Sequence, residues 1–176
     1  MKKNQLNTNT TRENELYSSH AADIVAVSAV FVGDMKQRRQ KDYVFSWKKA
    51  LQNQGDTGVK MQYVHCRLVS LEENCGVQYT SSVDFSCLSE AEAHNIIREI
   101  ARFDEILMDS YKEMEPCILV NYLLKLCGII NRALKTLKVK SSPKEVAEAR
   151  LALFTAARHT LAAGMNILGL RPLKKM

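Results

Sequence analysis

Proline and glycine are scarce in this sequence, three and seven in 176 residues, which argues against a loop-rich or all-β fold. The five cysteines, at 66, 75, 87, 117 and 127, are odd in number and none has CxxC spacing. That excludes a disulfide frame and a zinc site as expectations, and points to reduced thiols in a cytosolic or matrix compartment. Small core residues is the plain reading of all five. No apolar run is read as long enough to cross a membrane. The N-terminus, Met1-Lys-Lys-Asn-Gln-Leu-Asn-Thr-Asn-Thr-Thr-Arg12, lacks the apolar centre of a signal peptide. With Glu13 and Glu15 close behind, it also makes a poor transit peptide.

Catalytic signatures are missing too. There is no glycine-rich phosphate loop and no HExxH or HxxxH spacing, and the histidines at 20, 65, 94 and 159 stand alone. His65 and Cys66 are neighbours, and on a helix neighbours point about 100° apart, so they cannot pair as base and nucleophile. Glu72-Glu73 and Glu90/Glu92 read as solvated charges or caps. The residues propose no self-sufficient active site, no metal and no bound cofactor.

What is present is charge, and it is segregated. The net +6 divides into +5 over Met1–Ser70, −8 over Leu71–Leu119 and +9 over Val120–Met176. A basic C-terminal third is the footprint of a polyanionic partner or, equally, a solvated lysine-rich face.

Periodicity gives an all-α chain. Residues 1–20 read as a disordered segment, polar and Asn/Thr-rich over 1–14. From about His20 the pattern is helical, although the β-branched run to Phe31 would also suit a strand. Tyr43, Phe45 and Trp47 alternate, either as a strand or as an aromatic plug at a junction. Gln52–Gly58 is the clearest loop. Four amphipathic helices follow. The first covers about Val59–Asn74, with Met61, Val64, Leu68 and Leu71 inward. The second runs to about Asp109 from a capping box of Ser89 and Glu92, with Ile96, Ile97, Ile100 and Phe103 inward. The third starts near Pro116 and carries the stripe Leu119, Val120, Leu123, Leu124, Cys127, Ile130, Leu134 and Leu137. The fourth opens on a second capping box, Ser142-Pro-Lys-Glu145, carries Val146, Ala149, Leu153, Ala156, Ala157, Leu161 and Leu168, and ends at Gly169 as a left-handed cap. The sum is an antiparallel helix bundle.

Candidate binding residues lie on the first and third helices. Tyr63 and Arg67 are i and i+4 on one face, with Lys60 three residues before the ring. A ring flanked by cations suits an unpaired base. The same spacing also suits a core tyrosine covered by an arginine. Arg132, Lys135 and Lys138 form a basic stripe, with Lys125 further back, Lys140 and Lys144 in the next loop, and Arg171, Lys174 and Lys175 at the end. Such residues suit phosphates, which position a nucleic acid without reading it, or simply water.

Several blocks, in order, resemble the C-terminal anticodon-binding (DALR) domain of arginyl-tRNA synthetases. They are Phe45-Ser-Trp47, Gly55-Asp-Thr-Gly58, Met61-Gln-Tyr-Val-His-Cys-Arg67, Arg102-Phe103, Pro116 with Val120-Asn-Tyr-Leu123, Ala149-Arg-Leu151, Leu161-Ala-Ala-Gly164 and Leu168-Gly-Leu-Arg-Pro172. They cover about residues 22–176, and the Phe-Ser-Trp block, the Gly-Asp-Thr-Gly turn and the short ending look most like the mitochondrial animal form.

The resemblance implies a DALR-type bundle over 55–176, and over 21–54 the last helices that would join a catalytic domain. It implies tRNA(Arg) as partner, with ATP belonging to the complete enzyme only. Tyr63 and Arg67 match positions near the anticodon loop, Asn131 lies in the facing groove, and Met176 matches a C-terminal methionine that approaches the loop. The nucleic-acid-binding set is thus Lys60, Tyr63, Arg67, Asn131, Arg132, Lys135, Lys138 and Met176. Departures matter: many members have Pro-Tyr where Val59-Lys60 stand, and aromatics where Ile130, Ala133 and Leu134 stand, so electrostatics would carry more of the binding.

The class I catalytic motifs, His-x-Gly-His and the Lys-Met-Ser-Lys-Ser-like loop, find no match. The chain on its own is therefore expected to be inactive in charging tRNA. It would be a truncated product, a partial gene or a split subunit, in the mitochondrial matrix by resemblance or in the cytoplasm. The alternative is a free-standing RNA-binding or scaffold relative whose uncovered Phe31, Phe45 and Trp47 form a partner patch.

Overall fold

The sequence stretch from Cys117 to Ala133 is apolar on almost every side, and such a helix must be covered all round. The computed structural model describes residues 19–50, 52, 55–79 and 83–176. It places that stretch at the centre of a helical bundle. In chain order the helices are α1 (Ser19–Met35), the single turn α2 (Trp47–Ala50), α3 (Gly58–Asn74), α4 (Ala91–Ala101), α5 (Phe103–Glu113), α6 (Pro116–Thr136) and α7 (Lys144–Ile167). A 3-10 turn, Phe85–Cys87, precedes α4. The described residues contain no strand, so the run to Phe31 is helical: Ala22, Val25, Ala29 and Val32 are buried at helical spacing. Ser19 and His20 already belong to α1, and the rest of the segment expected to be disordered lies outside the described residues, as do 53–54 of the first loop and 80–82 of the loop before α4.

α6 packs against α3, α4, α5 and α7, and also touches α1. Leu119, Val120, Leu123, Leu126, Cys127, Ile130 and Ala133 are at most 1% exposed. Each fully buried Leu, Ile or Val is worth about 1.5–3 kcal/mol relative to exposure. By length and composition α6 could cross a membrane, contrary to the reading that no such run exists. The reason is its central place, with most of the apolar window buried inside the bundle.

Three expected helix boundaries are corrected. The helix expected to run from Ser89 to Asp109 is two helices, broken at Arg102 (φ −88°, ψ −2°). The Glu99 carbonyl accepts the Tyr122 hydroxyl at 2.8 Å and the Arg102 N–H at 3.3 Å, which takes it out of the α-helical ladder. The bend lets both α4 and α5 lie against α6, and Phe103 meets the Tyr122 ring at 5.9 Å. Ile97, expected inward, is 42% exposed; Ile96 is buried as expected, and Ala93 joins it in the core. Neither capping box forms. α4 starts after Glu90, whose carboxylate pairs with Arg150. α7 starts after Pro143, because the Ser142 hydroxyl donates to Lys138 O at 2.6 Å and accepts from Arg150 Nη1 at 2.7 Å. On α7, Ala156 points outward and the rest of the expected stripe is buried or half-buried.

The C-terminus of α7 ends as its sequence requires. Gly169 has φ +76°, its N–H bonds Asn166 O, and the Leu170 N–H bonds Met165 O, both at 2.9 Å. Leu170 and Met165 are both buried, completing the hydrophobic contact of a Schellman ending. From there the chain turns back along α3.

Gly58, the first residue of α3, is where α1 and α3 touch. A Cβ there would stand 2.0 Å from the Ser28 carbonyl oxygen and 2.3 Å from its carbon, both backbone atoms of α1. At Gly164 an added Cβ meets Leu123 Cδ2 at 2.6 Å, the movable end of a side chain. Gly164→Ala also gains about 1 kcal/mol of helix propensity. Gly58→Ala should therefore destabilise the chain by about 1–3 kcal/mol or more, and Gly164→Ala by clearly less. Urea denaturation of the two variants checks the order; equal midpoints would contradict the close approach of α1 and α3.

Candidate nucleic-acid interface

α3 is amphipathic, and its outward strip carries Tyr63, Arg67, Ser70 and Asn74, which fall at i, i+4, i+7 and i+11. Tyr63 is 51% exposed, which removes the alternative of a core tyrosine. The Arg67 guanidinium lies over the Tyr63 ring, 5.7 Å from its centroid, a cation–π arrangement. Arg67 Nη1 also donates to Asn131 Oδ1 at 3.0 Å, crossing from α3 to α6. Asn131, half-buried, thus holds by one edge the guanidinium that lies over Tyr63, a ring that stays half exposed.

The other expected residues divide into three groups. Arg132 and Lys135 are exposed on α6 beside Asn131, and Lys138 is exposed just after that helix ends. These extend the cationic strip from the Tyr63–Arg67 pair. Lys60, one turn before Tyr63, is held at 2.7 Å by the exposed carboxylate of Asp56. Such a surface pair is worth little and opens readily to a phosphate. Lys125, placed further back on the basic stripe, is instead drawn to Glu99 of α4 at 2.8 Å, so it neutralises a buried carboxylate rather than extending the strip. Met176 is half-buried, packed with Leu173 on the seam of Val25, Ala29 and Val59 between α1 and α3. It borders the strip from the side opposite α6.

Sequence reasoning missed what holds that C-terminal tail. Gln62 is fully buried, and both of its side-chain polar atoms are engaged. Its Nε2 donates to Ser28 Oγ at 2.9 Å and to Arg171 O at 2.8 Å, and its Oε1 accepts from Leu173 N at 2.9 Å. The Ser28 hydroxyl donates in turn to Ile24 O at 2.7 Å. One amide therefore joins α1, α3 and the tail. His65 Nδ1 lies 2.7 Å from Leu173 O, and since a carbonyl only accepts, Nδ1 carries the proton. The Cys66 thiol donates to the same oxygen at 3.1 Å, and burial pushes its pKa up to about 12, so it stays a thiol. The signal available in sequence was weak: three polar or sulfur-bearing residues on the flank of an apolar stripe, and a tail whose backbone needed partners.

Residues 61–176 match the DALR anticodon binding domain, and the chain belongs to that family. It is 42% identical over 176 residues to a probable mitochondrial arginine–tRNA ligase of Homo sapiens, covering 100% of this chain and 30% of that protein. It is 43% identical over 155 residues to a probable cytoplasmic arginine–tRNA ligase of Dictyostelium discoideum, covering 88% of this chain and 26% of that protein. The solved arginyl-tRNA synthetase of Thermus thermophilus superposes with a TM-score of 0.84 at 26% identity, over 94% of this chain and 29% of the other. The chain thus spans less than a third of the length of these relatives.

The tail anchor makes stability depend on pH. Burial, first, and the nearby Arg158 hold the His65 pKa below its ordinary 6.5. The unfolded chain therefore takes up this proton before the folded chain does. The stabilisation is complete above the unfolded value of 6.5 and is lost as pH falls below it. The urea midpoint of the chain should fall between about pH 7.5 and about pH 5.5, and His65→Gln should flatten that dependence. An identical pH slope in the variant would show that His65 is not the group responsible.

Proposed function

We propose that this chain recognises tRNA(Arg) through the anticodon loop, as the anticodon-binding part of an arginine–tRNA ligase. The observation that carries the reading is the Tyr63–Arg67–Asn131 seam, a half-exposed ring with a fixed guanidinium over it, in a chain of the DALR family. An unpaired base stacks on Tyr63, with Arg67 holding the adjacent backbone or base edge. Arg132, Lys135 and Lys138 hold phosphates and set position rather than sequence. Lys60 joins them once released from Asp56, and Met176 closes the strip from the side of the tail. Arginine activation with ATP belongs to the catalytic part of the ligase.

The apolar end of the chain supports a second contact. Phe31, Phe45 and Trp47 are 47%, 41% and 64% exposed, and Phe45 and Trp47 meet edge to face at 4.9 Å. We read this end as the seat of the catalytic part of the ligase, or of another protein if the chain acts as a scaffold. The Phe45-Ser-Trp47 block and the Gly55-Asp-Thr-Gly58 turn favour the mitochondrial form and hence the matrix. The human and Dictyostelium relatives, at nearly equal identity, carry mitochondrial and cytoplasmic names respectively.

Titration of the chain with tRNA(Arg), and with the same tRNA carrying a swapped anticodon, tests the reading. A clear preference for the arginine anticodon is expected, and Tyr63→Ala should weaken binding by about 1–3 kcal/mol with the bundle intact. Arg67→Ala should also weaken it and reduce the anticodon preference. Lys135→Ala should weaken both tRNAs alike and lower the salt slope by about one. Equal or absent binding of the two tRNAs would overturn the proposal.

A further inference from the structure

The outward side of α4 and α5 carries apolar residues that the core does not use. Ile97 is 42% exposed, Met108 50% and Tyr111 77%. Ala101 and Asp104, which fall between them, are exposed as well. The five follow one another at spacings of four, three, four and three residues, the repeat by which one helix lays a seam against another. Arg102 keeps a right-handed helical conformation, so the winding runs on through the bend and the seam passes from α4 into α5. It is about 20 Å long at the helical rise.

Nothing in the fold requires these positions to be apolar. α5 lies on α6 through Phe103, Ile106, Leu107 and Ser110, all half-buried, and contains no buried residue. A single exposed apolar side chain is ordinary, whereas a row of them along one line marks a contact surface. Methionine adapts its shape to what it meets, and tyrosine is enriched where contacts carry binding energy.

The charge of the seam narrows its occupant. Asp104, Glu105, Asp109 and Glu113 stand along α5 against a single cation, Lys112. Glu105 is drawn to Arg102 at 3.5 Å. Among the described residues no salt bridge engages Asp104, Asp109 or Glu113. The surface is therefore negative along its length, within the segment Leu71–Leu119 whose net charge is −8. RNA and an anionic bilayer are repelled by it. A second copy meeting it across a two-fold axis would set Asp104, the middle of the seam, against its own mate.

We propose that this seam docks a cationic amphipathic helix of another protein. The apolar residues of that helix sit among Ile97, Met108 and Tyr111, and its lysines or arginines face Asp104, Asp109 and Glu113. The RNA strip lies between α3 and the exposed edge of α6, whereas α5 rests on α6 and α4. The two surfaces differ in place and in sign of charge, so each stands or falls alone.

The test uses the full chain and a synthetic helical peptide of about 18 residues, with leucine at alternating third and fourth positions and lysine elsewhere. Fluorescence anisotropy reads its affinity, and hydrogen–deuterium exchange reads its place. The peptide should bind and slow exchange across Ile97–Glu113. Met108→Ser combined with Tyr111→Ser should weaken it at least about tenfold. Asp104→Asn combined with Asp109→Asn should weaken it and flatten its salt dependence. All four positions are exposed, so both variants should melt as the unmodified chain does and bind tRNA(Arg) with unchanged affinity. A peptide of the same composition with its leucines scattered off the stripe should bind at least about tenfold more weakly. Equal binding of the scattered peptide would reduce the effect to charge attraction and overturn the seam. Protection confined to other elements, or full affinity in both variants, would overturn it too. A dimer of the chain that the Met108→Ser, Tyr111→Ser variant dissolves would give the seam to a second copy and overturn the cationic partner.

Discussion

Everything in this molecule is arranged by the need to cover α6. A helix with Leu, Ile, Val and Cys on nearly every side is stable in water only when other helices surround it. α3, α4, α5 and α7 do so, and the bend at Arg102 exists so that two short helices rather than one long one can follow its surface. The part of α6 left to solvent is narrow, and it is there that Asn131, Arg132 and Lys135 stand. The outward strip of α3 ends up alongside it. The cationic and aromatic face is thus a consequence of how the core is closed, and Arg67 reaching Asn131 fastens the two strips together.

The tail is the second consequence. α7 ends at Gly169 and the chain returns along the remaining open flank of α3. There its backbone would lose water without partners, a penalty of about 1–3 kcal/mol for each unsatisfied buried group. Gln62, His65 and Cys66 provide those partners. Because Gln62 also binds Ser28, the same residue secures α1, whose backbone already touches Gly58. α3, the tail and α1 therefore form one polar junction on one side of the strip, while α6 forms an apolar one on the other.

Much of the fold was legible in the sequence because the signal was periodic. The stripes of α3, α6 and α7, proline at the start of α6 and glycine after α7 all stand where local rules put them. What local rules could not supply was competition from distant groups. Ser142 fits a capping box, but Arg150 and Lys138 claim its hydroxyl. Glu99 sits in a good helical context, but Tyr122 claims its carbonyl. Lys125 fits a basic stripe, but the buried Glu99 carboxylate claims its charge. The candidate site divides the same way. Tyr63 and Arg67 are a local pair that spacing exposes, with the choice between surface and core left to the structure. Family resemblance placed Asn131 in the groove, but its hydrogen bond to Arg67, across 64 residues, belongs to the structure alone. Gln62 stood within the Met61–Arg67 block without a role, since a buried amide looks like any other polar residue until its partners are in place.

The account stands on one claim, that the face built from the outward strip of α3 and the exposed edge of α6 is where nucleic acid lies. Hydrogen–deuterium exchange of the full chain, alone and saturated with tRNA(Arg), tests it most directly. Slowed exchange is predicted across the later turns of α3 and the segment from Asn131 to Ser141, with little change around Phe31, Phe45 and Trp47. Protection confined to that aromatic end, with α3 and α6 unaffected, would contradict it.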